Sequence, residues 1–121
     1  MKKIMVIDDD IEFLDEVSEF LEVSGYKVIT SNNGRNALTN AYNENVDLII
    51  LDLKLGEENG FHIADELKRS FKTSHIPIIA VTGKYIEPEY ISLLEMYGFV
   101  NRFIKPVNPM DILYEIDKNT C

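Results

Sequence analysis

Several features that would assign the protein to a particular class are rare or missing in its sequence. There is no tryptophan and a single cysteine, Cys121, so an internal disulfide is impossible and a reducing cytoplasm is the expected setting. No apolar run approaches the roughly 18 residues that a membrane-spanning helix needs. The chain has 12 Lys and Arg residues against 21 Asp and Glu residues. This acidic balance argues against non-specific binding to nucleic acid, which depends on basic side chains.

The rest of the composition is that of an ordinary folded domain. Hydrophobic residues make up 45% and charged residues 27% of the chain, which argues against intrinsic disorder. The sequence contains no linker, repeat or low-complexity stretch. Its length of 121 residues fits one domain with one core, so we expect residues 1–121 to form a single domain.

Short apolar runs alternate with segments of helical period along the chain. Five runs predict strands: Lys3–Ile7, Tyr26–Thr30, Leu48–Leu51, Ile76–Val81 and Val100–Ile104. Apolar side chains recur between them at three- and four-residue spacing, which predicts helices. Pro88 and Pro109 each suit the first turn of such a helix. Strict alternation predicts an α/β fold, a doubly wound parallel sheet with helices on both faces.

Polar side chains stand where the predicted strands end. In chain order they are Asp8, Asp9 and Asp10, then Asp52, then Thr82 (followed by Gly83), then Lys105 (followed by Pro106). Because ligands of open parallel sheets bind beyond the carboxyl ends of the strands, these side chains are expected to meet on one rim. Each also has a simpler interpretation. Asp9 with Glu12 fits a helix capping box, and Asp52 or Thr82 could end a strand at a turn.

Three of these carboxylates, those of Asp8, Asp9 and Asp52, would need a compensating positive charge if they lie together. Two of them about 5 Å apart repel by roughly 3 kcal/mol at an effective dielectric constant of about 20, so their pKa values rise unless a cation is bound. Mg²⁺ suits such a place because it binds one or two carboxylates and keeps exchangeable waters. A carboxylate can attack phosphorus to form an acyl phosphate, and an ammonium and a hydroxyl can then stabilise the phosphoryl oxygens.

The sequence resembles the receiver domains of two-component response regulators, the CheY-like superfamily. The resemblance rests on five ordered motifs that span nearly the whole chain: IMVIDDD, SNNGRNAL, LIILDLKLGEENG, IIAVTG and FIKPV. It implies a five-stranded parallel sheet in the order 2-1-3-4-5 and a cis peptide bond at Lys105-Pro106. It also implies a phosphorelay function. The domain would accept a phosphoryl group from a sensor histidine kinase or a histidine phosphotransfer protein. It would then change conformation and so change its binding to a protein target, which the sequence does not identify.

The resemblance implies a role for each residue of the rim. Asp52 would be the phosphoacceptor, and Thr82 and Lys105 would contact the phosphoryl group. The ligands of Mg²⁺ would be Asp8 (through water), Asp9, Asp52 and the backbone carbonyl of Lys54. Such a domain catalyses its own phosphorylation and dephosphorylation and is not a turnover enzyme. The sequence ends near the close of the fifth predicted helix, so we expect no output domain, no direct nucleic-acid binding and no membrane attachment.

Two positions depart from the family pattern. Gly56 stands where the family usually has proline, and since glycine leaves the dihedral φ free we expect the loop Gly56–Gly60 to be more mobile than usual. Arg102 stands where the family most often has Tyr or Phe. Because burying an unpaired guanidinium is costly, we expect it to stay outside and to contact a partner or an acidic neighbour. Lys54 and Lys84 lie near the site at positions that vary in the family and tune the phosphoryl lifetime.

Three other functions are possible for a chain of this architecture, and each meets an objection in the sequence. Asp8 and Asp10 match the nucleophile and general acid of a haloacid dehalogenase-type phosphohydrolase, although Glu12 stands where that family has Thr or Val. A flavodoxin would need a hydroxyl-rich phosphate loop in place of the three aspartates. An interaction module that has lost the chemistry is disfavoured, since every expected site residue is present.

Overall fold

Five long strands and five helices alternate along the part of the chain that the structure describes. The structure is a computed structural model, and the described residues are 1–83 and 87–120. The strands are β1 (Lys3–Ile7), β2 (Lys27–Ser31), β3 (Leu48–Asp52), β4 (Ile78–Thr82) and β5 (Phe99–Ile104). The helices are α1 (Ile11–Val23), α2 (Gly34–Asn43), α3 (Gly60–Arg69), α4 (Pro88–Met96) and α5 (Pro109–Thr120). Lys84 and Cys121 lie outside the described residues.

The five long strands pair in parallel in the order β2-β1-β3-β4-β5. The predicted order 2-1-3-4-5 is therefore confirmed. Ile7, at the end of β1, lies opposite Leu51 of β3, and Asp52 lies opposite Val81 of β4. This register brings the carboxyl ends of the three central strands to one edge of the sheet.

The central strands β1, β3 and β4 are buried on both faces, as all-apolar parallel strands should be. Alternate side chains point into two apolar clusters. One cluster joins the sheet to α2, α3 and α4, through residues such as Met5, Ala41 and Leu94. The other joins it to α1 and α5, through residues such as Ile50 and Leu14. Helices therefore cover both faces. Within the described ranges no helix has the length and apolar character needed to cross a membrane.

The observed bounds of β1 match the sequence prediction, and those of the other four long strands differ from it by at most two residues. The largest shift is at β4, which begins at Ile78 instead of Ile76. The cause is local, because the backbone N–H of Ile76 donates to the Thr73 carbonyl at 3.1 Å. The residue closes a turn and cannot use the same N–H in the sheet.

A short antiparallel hairpin follows β3, with strands Lys54–Leu55 and Glu58–Asn59. It ends at Gly60, the first residue of α3, where no side chain fits. A Cβ at residue 60 would lie 2.6 Å from the Asp52 carbonyl oxygen and 2.7 Å from Leu53 Cα. Both neighbours are backbone atoms, which cannot move aside cheaply.

We expect Gly60→Ala to lower the free energy of unfolding by about 1–3 kcal/mol, because the added methyl group forces the backbone after β3 to shift. Gly83→Ala is the matched control, since a Cβ at residue 83 meets no atom within 4 Å. Urea denaturation of both variants measures the difference. Equal stabilities would contradict the close approach at Gly60.

Candidate active site

The carboxyl ends of the central strands surround an open pocket of about 400 Å³. Its lining residues are Asp9, Asp10, Asp52, Lys54, Gly56, Thr82, Gly83 and Lys105. Asp8 lies beside them and is fully buried. The structure therefore brings together all the residues that the sequence predicted for the rim.

Three carboxylates form the acidic part of this pocket. Asp8, Asp9 and Asp52 each place a carboxylate oxygen within 4.8 Å of the other two. Asp8 is 0% exposed and Asp52 is 6% exposed, whereas Asp9 is exposed. Such crowding in a partly desolvated place is unfavourable without a cation.

The buried oxygen atoms of this cluster fit a hard divalent cation. Asp8 Oδ2 accepts no hydrogen bond from any described residue. It forms an ion pair with Lys105 Nζ at 2.7 Å. Mg²⁺ takes carboxylate oxygens and coordinated water, so a set of three carboxylates whose oxygen atoms lie within 4.8 Å of one another is chemically suited to it.

Asp52 has a strongly perturbed acidity in this environment. The pKa of its carboxyl group is raised from 3.8 to about 6, and burial is the largest cause. The neighbouring Asp8 carboxylate also raises it. The Lys54 N–H, which donates to Asp52 Oδ1 at 3.1 Å, and the Lys105 ammonium both lower the pKa, and they offset only part of the increase.

Lys105 provides the positive charge of the site. Its Nζ lies 2.7 Å from Asp8 Oδ2 and 3.8 Å from Asp10 Oδ2. Its backbone N–H donates to the Thr82 carbonyl at 2.8 Å, which fixes the end of β5 against β4. The following bond, Lys105-Pro106, is cis, so that prediction is confirmed.

Phe13 is a site residue that the sequence pattern did not single out. Lys105 Nζ lies 4.4 Å above the centroid of its ring, within the range of a cation–π interaction. The ring therefore supports the ammonium from the side of α1. The sequence holds no local signal for this contact, because the two residues belong to distant elements.

The cap of α1 is Asp10, so the capping-box interpretation of Asp9 is wrong. Asp10 has extended backbone dihedrals, and its Oδ1 accepts from the Phe13 N–H at 3.2 Å. The helix begins one residue later than a cap at Asp9 would require. Asp9 lines the pocket instead, and its Oδ2 accepts from the Gly56 N–H at 2.9 Å.

Gly56 uses the conformational freedom that distinguishes it from the usual proline. Its φ of +60° lies in the left-handed region, which proline, with φ fixed near −65°, cannot enter. No local sequence pattern indicates that its N–H binds Asp9. The expected mobility of this loop stays a prediction.

Arg102 lies on the exposed face of β5, as expected for an unpaired guanidinium. Among residues 1–83 and 87–120 no carboxylate forms a salt bridge with it. The predicted acidic neighbour is therefore not found in that part of the chain, and a contact with a partner stays a prediction.

Comparison with known proteins places this geometry in a family. The family model "Response regulator receiver domain" matches residues 4–117. The probable transcriptional regulator ycf29 of Pyropia yezoensis is 34% identical over 113 residues, which are 92% of this chain and 50% of that protein. The chain thus spans about half the length of the curated relatives it matches.

Two solved structures are similar over nearly their whole length. The chemotaxis protein CheY4 of Vibrio cholerae, crystallised at low pH, has a TM-score of 0.91 at 28% identity, with 98% of each chain covered. The response regulator protein TrrA of Thermotoga maritima, in complex with Mg²⁺-BeF, has a TM-score of 0.82 at 29% identity, again with 98% of each chain covered.

The haloacid dehalogenase-type alternative gains no support from these matches, and Asp10, its predicted general acid, caps α1. The sheet order, the rim at the strand ends and the matched length agree with one another. We conclude that this chain belongs to the response regulator receiver domain family, the signalling domains of two-component phosphorelay systems.

Proposed function

We propose that this receiver domain accepts a phosphoryl group on Asp52 in a Mg²⁺-dependent reaction. The donor is a phosphohistidine on a sensor histidine kinase or on a histidine phosphotransfer protein. One observation carries the proposal: the carboxylates of Asp8, Asp9 and Asp52 lie within 4.8 Å of one another, with the Lys105 ammonium 2.7 Å from Asp8.

In the proposed reaction an oxygen of ionised Asp52 attacks phosphorus. The bond between phosphorus and the donor imidazole nitrogen breaks, its electron pair returns to the imidazole, and an acyl phosphate forms on Asp52. Lys105 and Thr82 act as donors to the phosphoryl oxygens, whose charge must be stabilised in the transition state. The backbone N–H of Gly83 is a further candidate donor, since a Cβ at that residue would meet no atom within 4 Å.

The proposed ligands of Mg²⁺ are Asp8 (through water), Asp9, Asp52 and the carbonyl of Lys54. When bound, the cation supplies the positive charge that lowers the pKa of Asp52 and screens the incoming phosphoryl group. The chain's own residues hold the acceptor in place, since the Lys54 N–H fixes Asp52 Oδ1 at 3.1 Å.

Hydrolysis of the acyl phosphate by water ends the signal, so the domain catalyses both steps on itself and turns over no external substrate. New contacts to the phosphoryl group shift the population between two conformations. We place this reaction in the cytoplasm. The net charge of −9 makes a protein target more suitable than nucleic acid.

Incubation with acetyl phosphate tests the metal requirement. We expect intact mass spectrometry to detect one added phosphoryl group with Mg²⁺ and almost none with excess EDTA, because the three carboxylates repel an anionic donor when no cation is bound. Asp15→Asn, at an exposed position of α1, should behave as the wild type. Equal phosphorylation with and without Mg²⁺ would contradict the proposal, as would none in either.

A further inference from the structure

The hairpin beside the pocket is hydrogen-bonded to the rest of the chain at two points, Gly56 and Glu58. We call residues 54–59 the strap; its register pairs Lys54 with Asn59 and Leu55 with Glu58. Leu55 is 2% exposed and belongs to the apolar cluster beneath α2 and α3. Because its two strands are paired, we expect the strap to move as one unit about the buried Leu55 side chain.

The first tie joins the strap to the acidic cluster. The Gly56 N–H donates to Asp9 Oδ2 at 2.9 Å. This carboxylate is one of the three whose oxygen atoms lie together. An N–H dipole and a cation both bring positive charge to the Asp9 carboxylate, so the binding of one weakens the binding of the other.

The second tie joins the strap to α2. Glu58 Oε1 accepts from the backbone N–H of Gly34, the first residue of that helix, at 3.0 Å. The side chain of Asn33 caps a later N–H, that of Asn36, at 2.9 Å. A helix N-terminus carries unpaired N–H groups and a partial positive charge, so a carboxylate there stabilises it. Glu58 therefore adds to the N-terminal cap of α2 from outside the helix.

We propose that the strap couples occupancy of the metal site to the N-terminus of α2. Cation binding at Asp9 releases the Gly56 N–H, the strap shifts, and the Glu58 contact with Gly34 weakens. In the metal-free chain the Gly56 N–H binds Asp9, and Glu58 keeps its contact with the Gly34 N–H. This inference rests on the proposed function, because it requires Mg²⁺ to bind at the acidic cluster.

Titration of the ¹⁵N-labelled chain with MgCl₂ tests the coupling without any phosphorylation. We expect the amide resonances of Gly56 and Gly34 to shift along the same saturation curve. In Glu58→Ala the Gly56 resonance should still follow the metal, whereas that of Gly34 should not. Glu57→Ala is the matched control: it removes the same charge from the same exposed turn, and Glu57 forms no described contact with α2.

A second variant tests the competition for Asp9. Gly56→Pro removes the N–H and cannot adopt the φ of +60°. We expect it to bind Mg²⁺ about two- to tenfold more tightly, the range for one lost hydrogen bond to an exposed carboxylate. Unchanged or weaker binding in a folded variant would contradict the competition.

The wild-type titration separates this inference from the proposed function. If rim amides such as that of Gly83 saturate with Mg²⁺ while Gly34 does not respond, the coupling is wrong and the metal site stands. If Gly34 responds equally in Glu58→Ala, the strap is not the route and the inference is again wrong. If no rim amide responds to Mg²⁺, the metal site and the coupling both fail.

Discussion

The Asp52→Asn variant is expected to be more stable than the wild-type chain at pH 7.5 in the absence of divalent cations. Burial, and then repulsion from Asp8, raise the pKa of Asp52 from 3.8 to about 6, so the native fold disfavours its charged form. Asparagine keeps the shape and can still accept from the Lys54 N–H, while it carries no charge. At about 1.4 kcal/mol per pKa unit, the expected gain in the free energy of unfolding is about 1–3 kcal/mol.

The raised pKa of Asp52 determines how the stability difference between the two chains depends on pH. Between pH 3.8 and about 6 the folded chain binds more protons at Asp52 than the unfolded chain does. Raising the pH through this window therefore lowers the free energy of unfolding of the wild type. The advantage of Asp52→Asn should be small below pH 4 and should reach its full size above about pH 6.

Urea denaturation in EDTA at several pH values measures this difference. Asp15→Asn is the control, because it removes the same charge from an exposed position of α1. A variant at Asp52 that is no more stable than the wild type at pH 7.5 would contradict the raised pKa. An advantage that is the same at every pH would contradict it equally.

The Lys105→Met variant is expected to accept a phosphoryl group from acetyl phosphate about 100-fold more slowly than the wild type, the usual loss when one donor to a transition-state oxyanion is removed. Methionine retains an apolar stem beside Phe13 and removes only the ammonium. Mg²⁺ affinity should be retained or increased, because a positive charge 2.7 Å from Asp8 is lost.

Intact mass spectrometry over time, at saturating Mg²⁺, gives this rate directly. Lys72→Met, at an exposed position after α3 and outside the pocket lining, is the control and should match the wild type. A rate for Lys105→Met within threefold of the wild type would exclude Lys105 from the proposed reaction.

The fold and the position of the site could be predicted because they depend on features that the sequence displays directly. Apolar runs such as Leu48–Leu51 identify buried parallel strands, and strict alternation with helices leaves few topologies. Asp52 and Lys105 follow such runs, so their meeting at one edge follows from the parallel arrangement alone. Resemblance to a family then supplied the order of the strands and the roles of the residues.

The contacts that tune the site could not be predicted, because they join residues that are distant in sequence. Gly56 binds Asp9 across 47 positions, and Glu58 binds Gly34 across 24. Each depends on how far the strap extends over the pocket, which no local pattern encodes. The prediction that Asp9 caps α1 was wrong for a different reason. Asp9 and Asp10 are both good capping residues. Which of them caps α1 depends on the path of the backbone between β1 and α1.

Locating the phosphoryl group is the most direct test of the central claim, that Asp52 is the acceptor. The chain is phosphorylated with acetyl phosphate and Mg²⁺ and then treated with sodium borohydride, whose hydride reduces the acyl phosphate to the alcohol of homoserine. Tandem mass spectrometry then locates the modified residue, with Asp52→Ala as the control. The account predicts reduction at position 52 in the wild type and none in the variant. Reduction at Asp8, or unchanged labelling in Asp52→Ala, would contradict it.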